Sequence, residues 1–340
     1  MLKKIKYFIK SSLSNFLYYS GLTHIALKAV TKREKRHPVI IIMYHRIVEG
    51  IDKEINNNHA ICHPLDSFKK ELKLLKHFFK PASLTEALDY IKEKAPMPDK
   101  PLVVLTFDDG FKDNYTLAYP VLRGHGIPAV IFLTAGIIGT ENLPWVDEMG
   151  QRILNTEKKS ISINTVLNKQ ALDINSLREK RKAFNSITEK LKAVKNSDRE
   201  LILKDLFSQL GARMNGHLQM LNWEQVKEMA GNNISFGAHT CTHPILSKMD
   251  REEAETEIIK SKRIIEDELG LKVEHFAFPN GRLCDFTSRL KEFCKSAGFK
   301  SVSTALYGIN RQGNCVYSLK RMSPSKTLPV FAYDLLRALI

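Results

Sequence analysis

Three stretches of the sequence are apolar almost without interruption: "PVIIIMYHR" from Pro38, "PLVVLTFDDG" from Pro101 and "IPAVIFLTAG" from Ile127. A strand wetted on one face alternates apolar and polar residues. These runs leave no face for water, which marks strands of a parallel sheet covered by helices on both sides. The segments between them are helical in pattern. "DSFKKELKLLKHFF" sets Phe68, Leu72, Leu75 and Phe79 on one face, "SLTEALDYI" opens with Ser83 and Glu86 at capping-box spacing, and "NYTLAYPVLRGHG" runs to a stop at its glycines.

Residues 147–215 break this rhythm with lysine-rich helical patterns, and they predict a helical insertion without strands. The alternation then resumes. Asn222 caps the helix "NWEQVKEMAG", the strand "ISFGAH" follows, and a long helix runs from Asp250, with Glu253 at capping-box spacing, to Gly270. The strand "VEHFAFP", the helix "TSRLKEFCKSAG" and the strands "FKSVST" and "CVYSLKRM" complete the pattern. Seven or so strands separated by helices predict an α/β fold: a closed or nearly closed (β/α) barrel, distorted or incomplete, with a doubly wound open sheet as the alternative. The expected organisation is an N-terminal segment (1–37) and a main domain (38–330) interrupted by the 147–215 insertion.

In parallel α/β folds the reactive groups collect at the C-terminal ends of the strands. Four such ends are polar here: His45, the pair Asp108 and Asp109, His239, and the "FPNGR" segment. Two carboxylates facing one cavity would repel and raise one pKa unless a cation held them. With a cation present, one binds it while the other stays ionised and takes a proton. "GAHTCTHP" supplies imidazoles to complete such a site, because His239 and His243 are four apart and one helical turn would bring both rings to one point. Cys241, midway between them, is read as packing. His45 is either a satisfied core histidine or a proton donor to a leaving group.

The formal charge of +15 at pH 7 implies an anionic partner: nucleic acid, an acidic glycan or a membrane surface. No nucleic-acid-binding module accompanies it, so no nucleic-acid partner is expected. The five cysteines are an odd number without CxxC spacing, which excludes a thiolate zinc knuckle and argues against a disulfide framework. They favour a reducing compartment.

Taken together, "TFDDG", "HTCTHP" and "FAFPNG" in this order resemble the three motifs of the polysaccharide deacetylases of the NodB-like type, carbohydrate esterase family 4, over roughly residues 38–325. The resemblance implies that Asp108 is the general base and that Asp109, His239 and His243 hold a divalent metal, zinc in most members and cobalt or nickel in some. It assigns the backbone N–H of Asn280 to the oxyanion. Many members take their general acid from a late leucine-histidine motif, but this chain has no histidine after His275. Here it is similar to the branch that includes poly-N-acetylglucosamine deacetylases, in which an early "YH", matched by Tyr44 and His45, supplies the acid. The third motif lacks its usual arginine, and Arg321 in "SLKRMSP" either pairs with Asp108 instead or is simply solvated. Trp145 is expected in the core or stacked on a sugar, and Trp223 in helix packing.

The implied activity is removal of an N-acetyl group from an acetamido sugar of a bacterial glycan or lipid-linked intermediate, releasing acetate. O-acetyl ester hydrolysis and non-catalytic glycan binding are the alternatives. In the N-terminal segment Ile5, Phe8, Ile9, Leu13, Phe16 and Leu17 recur at near-helical spacing among Lys3, Lys4, Lys6 and Lys10. This suits a helix lying on an anionic membrane or docked on the protein's own body. The segment is a poor signal peptide and a poor transmembrane span. The expected location is therefore cytoplasmic or at the cytoplasmic face of the inner membrane, with export as the alternative.

Overall fold

The computed structural model describes residues 2–33, 37–50, 61–164, 169–211, 218–325 and 327–340. Two helices, α1 (Leu2–Tyr19) and α2 (Leu22–Arg33), precede the first apolar run, β1 (Val39–Tyr44). A small parallel pair, β2 (Arg46–Val48) and β3 (Cys62–Pro64), leads to α3 (Leu65–Phe78), β4 (Lys80–Pro81) and α4 (Leu84–Ile91). The second apolar run is β5 (Leu102–Phe107). It is followed by a π-helical turn, Asn114–Ala118, that opens α5 (Tyr119–His125), and by the third run, β6 (Ala129–Leu133). The insertion contributes α6 (Trp145–Asn155), β7 (Ser160–Asn164), β8 (Lys169–Asp173), α7 (Leu177–Ala193) and α8 (Asn196–Leu210). The remainder is α9 (Trp223–Ala230), β9 (Ile234–Ala238), α10 (Arg251–Leu269), β10 (His275–Ala277), α11 (Ser288–Ser296), β11 (Ser301–Tyr307), β12 (Leu319–Arg321) and α12 (Leu328–Leu339).

The sheet runs in the order β1, β5, β6, β9, β10, β11, β12, with every pairing parallel and β4 beside the start of β5. Its ends meet just beyond β12. Met322 N donates to Ile41 O at 2.8 Å, and Met43 N donates to Met322 O at 2.9 Å. The fold is thus a nearly closed, distorted (β/α) barrel, as the apolar runs predict. All six residues of β5 and all five of β6 are buried, which is why neither strand alternates.

Register then levels the strand ends. Tyr44 pairs with Phe107, so His45 and Asp108 leave the sheet side by side. Leu133 pairs with Ala238, and His239 N donates to Leu133 O at 2.9 Å. One end of the barrel therefore gathers the polar residues.

Local expectations fare unevenly. Ser83 and Glu86 form the predicted capping box, and Asn222 caps α9 with Gln225 as its partner. Asp250 precedes α10 without a side-chain cap, although Gly270 ends that helix in the left-handed conformation. The last strand is shorter than "CVYSLKRM", because residues 316–318 form a single turn before β12.

The insertion is not purely helical. Its β7 and β8 pair antiparallel from Ser160–Asp173 to Asn164–Lys169, contrary to the expectation of no strand. Only Ile161 and Ile163 of "SISIN" are apolar, so the strand is legible only once α8 covers it: Gln209 of α8 bonds the backbone of Ser162 on both sides. The insertion has its own apolar centre, built from residues such as Met149, Ile153, Ile163, Ile187 and Leu206. Trp145 lies in it at 9% exposure with the Arg199 guanidinium over its ring, so it is a core residue and not a sugar platform. Trp223 packs on the barrel's main core, as expected.

Candidate metal centre and its proton-transfer neighbours

The turn after β5 separates its two carboxylates. Asp109 and Gly110 both adopt left-handed backbone conformations, with φ of 75° and 85°. For Gly110 this costs nothing, and an added Cβ would lie 2.7 Å from Leu133 Cδ2, so only glycine fits. For Asp109 the conformation is strained, and it turns that side chain away from Asp108.

Asp108 is clamped by Arg321, which reaches it across the closing seam of the barrel. Nη1 donates to Oδ1 and Nη2 to Oδ2, each at 2.7 Å. The same guanidinium donates Nε to Thr304 O at 2.8 Å and Nη1 to Thr106 Oγ1 at 3.2 Å, which fixes the fork in place. Both residues are 2% exposed. Burial alone would raise the Asp108 pKa, but the facing guanidinium outweighs it and holds the carboxyl below its ordinary value. Of the two readings of Arg321, pairing with Asp108 is the one observed. His45 Nε2 lies 4.0 Å from Asp108 Oδ2, and its ring is partly open to solvent.

Asp109 has a different environment. Its Oδ1 is buried without a hydrogen-bond donor and lies 3.5 Å from His239 Nε2 and 3.2 Å from His243 Nε2. His239 Nδ1 is 2.7 Å from Ala277 O, and since a carbonyl only accepts, Nδ1 carries a proton and Nε2 is the atom that faces Asp109. Three ligand atoms, all within 4.8 Å of one another, thus converge. A divalent cation fits this arrangement: one carboxylate oxygen, two imidazole nitrogens, and one imidazole oriented from behind by a carbonyl. The directions of the shifts follow from the same crowding. Burial opposes the charge on Asp109, but the two imidazoles keep it well below the carboxylate range, while burial drives His243 down to about 4.

The two histidines do not share a helical turn, as their spacing suggested. Thr240 and His243 have φ of 66° and 60°, and the segment is a left-handed loop. Glu257 of α10 holds it by accepting from Cys241 N at 2.7 Å, Thr242 N at 3.0 Å and Thr242 Oγ1 at 2.9 Å. Cys241 points away from the ligands and is packed, with burial raising its thiol pKa to about 12.

The structure therefore brings six of the seven predicted residues together: His45, Asp108, Asp109, His239, His243 and Arg321. Asn280 stands in the loop after β10, three residues past the carbonyl that orients His239, with φ of 55°. Among the described residues, no hydrogen bond ties it to the other six. The Tyr44 side chain turns away from the cleft, donating to Glu71 at 2.8 Å, and His63 approaches the same carboxylate at 3.1 Å.

Sequence reasoning missed the supports. Asn114, in the π-helical turn, donates to His45 O at 2.6 Å, and Asp113 accepts from Arg46 Nε at 2.7 Å and Ile47 N at 3.2 Å. Asp147, in the first turn of α6, is 6% exposed. Its pKa is pushed up to about 7, first by burial and then by the negative charge of Asp109. No local signal in "PWVDEMG" indicates this.

The polysaccharide deacetylase family pattern matches residues 95–302, a span that contains Asp108, Asp109, His239 and His243. The chain belongs to the polysaccharide deacetylase family. Among relatives of this deacetylase-family chain, the Bacillus subtilis protein YxkH, named for a polysaccharide deacetylase, is 23% identical over 294 residues, 86% of this chain and 74% of that one. The Staphylococcus aureus (strain MSSA476) poly-beta-1,6-N-acetyl-D-glucosamine N-deacetylase is 30% identical over 138 residues, 37% of this chain and 46% of its own length. Among solved structures, the Streptococcus pyogenes deacetylase PplD in complex with acetate superimposes with a TM-score of 0.58 at 20% identity. That match covers 90% of this chain and all of the other, and it supports the shared fold.

Proposed function

We propose that this member of the polysaccharide deacetylase family removes the N-acetyl group from an acetamido sugar by metal-dependent hydrolysis, adding water across the amide to give acetate and a free amine. The observation that carries the reading is the division of labour at one turn. Asp109 joins His239 and His243 in a cation-ready set, and Asp108, one residue earlier, is held ionised by Arg321.

A divalent ion held by Asp109, His239 and His243 would supply Lewis acidity toward the acetamide carbonyl and toward a water; zinc suits this donor set. Asp108 takes a proton from the attacking water, and the Arg321 fork keeps both carboxylate oxygens aimed during the transfer. The family resemblance assigns the Asn280 N–H to the developing oxyanion. His45, next to Asp108 at the strand ends, hands a proton to the departing sugar amine, which could not leave as an anion.

The S. aureus relative's name and the strongly positive charge of this chain support an N-acetylglucosamine-type unit within an anionic glycan or a lipid-linked intermediate. The cytoplasmic face of the inner membrane is the proposed location. Acetate release by metal-reloaded protein, measured on N-acetylated oligosaccharides, lipid-linked glycans and matched O-acetyl esters with chelated protein as control, tests the reading. Metal-dependent release from an acetamide is expected. Release from esters alone would replace it with the esterase reading, and no release from any substrate would refute it.

A further inference from the structure

Helix α1 is turned inside out. With about 3.6 residues per turn, "LKKIKYFIKSSLSNFLYY" has a face carrying Lys10, Ser11 and Ser14, and roughly opposite it a face carrying Phe8, Ile9 and Phe16. The polar face meets the protein, joined there by the partly buried Leu17 and Tyr18. Ser14 is fully buried, its hydroxyl donating to Lys10 O at 2.7 Å, and Lys10 Nζ donates to Asp334 of α12 at 2.8 Å. The apolar face looks outward, with Phe8 at 71% exposure, Phe16 at 67% and Tyr19 at 78%, and the exposed Leu22 and Ile25 of α2 add to the apolar surface of this end. In water such a helix would roll its aromatic face against the body, but the Lys10–Asp334 pair and the buried serine hold it the other way.

We propose that this outward face rests on the surface of an anionic lipid bilayer. Residues 1–33 contain seven lysines and arginines and no aspartate or glutamate, namely Lys3, Lys4, Lys6, Lys10, Lys28, Lys32 and Arg33. A second copy of the chain would bring like charge against like charge, whereas a layer of anionic headgroups is attracted by the net positive charge of this segment and lets the aromatic rings enter the headgroup–acyl boundary. The helix lies on the bilayer and does not cross it, since among the described residues no helix is long and apolar enough to span a membrane.

The test is flotation of the full chain with vesicles of phosphatidylcholine alone or mixed with phosphatidylglycerol, and it needs no turnover. The expected result is binding to the phosphatidylglycerol vesicles, weakened by high salt and reduced about tenfold or more in Phe8→Ser/Phe16→Ser. Thermal unfolding of the variant should match the parent, because both side chains are exposed. In the unsubstituted protein, amide exchange across residues 7–25 should slow on the same vesicles. Equal binding to both vesicle types, no loss in the double variant, or unchanged exchange would overturn the proposal. So would a concentration-dependent dimer that Phe8→Ser/Phe16→Ser disperses, which would assign the face to a second copy.

Discussion

Asp108 and Asp109 share a peptide bond and nearly the same burial, yet the two sides of this one turn are built on opposite terms. On the Asp108 side both carboxylate oxygens are answered by a permanent cation, the Arg321 guanidinium. On the Asp109 side the charge faces imidazoles in place of a permanent cation. A buried oxygen faces two imidazole nitrogens, a set that a cation supplied from outside would complete. Proximity in sequence therefore says little about chemical role. The left-handed backbone at Asp109 lets one turn serve both sides.

The contrast can be broken most completely on the open side. Asp109→Ala should abolish stoichiometric zinc binding, read by metal analysis after dialysis, together with acetate release. If the variant retained both, the ligand set would be wrong. Asp108→Asn should keep the metal and lose about 10³–10⁴-fold in kcat, because an amide of the same shape cannot take a proton. His45→Ala should also keep the metal, with a fall of about 10²-fold in kcat, and full activity would remove His45 from the proton path.

Arg321→Met sharpens the comparison through pH. Without the guanidinium, burial raises the Asp108 pKa, and the acid limb of the kcat/KM profile should move to higher pH while metal content stays constant. The stability effect has a defined sign. The depressed Asp108 pKa means that the pairing stabilises the fold above the ordinary carboxylate value and that this contribution fades as pH falls through the lowered one. Arg321→Met should therefore cost about 3–5 kcal/mol at neutral pH, read by denaturant unfolding, with a smaller difference in acid.

Much of the barrel was legible because strands buried on both faces must be continuously apolar, and β1, β5 and β6 are. The reactive groups were legible because a polar residue ending such a strand has few other reasons to be there. What could not be read was anything set by distant packing. The hairpin of β7 and β8 depends on Gln209, 47 residues from Ser162. The loop that carries His239 and His243 depends on Glu257, and no spacing rule distinguishes it from a helical turn. Asp147 senses the charge of Asp109 although it lies in the insertion. For α1 the sequence showed an amphipathic helix but not which face would be inward, and the Lys10–Asp334 pair, 324 residues apart, sets that.

The seam where the barrel closes has a temporal consequence. All three residues of the metal-binding set have been synthesised once residue 243 has emerged, but the arginine that clamps Asp108 lies 213 residues after it, on β12. A nascent chain can thus collect its ligands long before it can hold Asp108 ionised and aimed. The clamp arrives with β12, so a chain truncated before it would keep Asp109, His239 and His243 without Arg321 on Asp108.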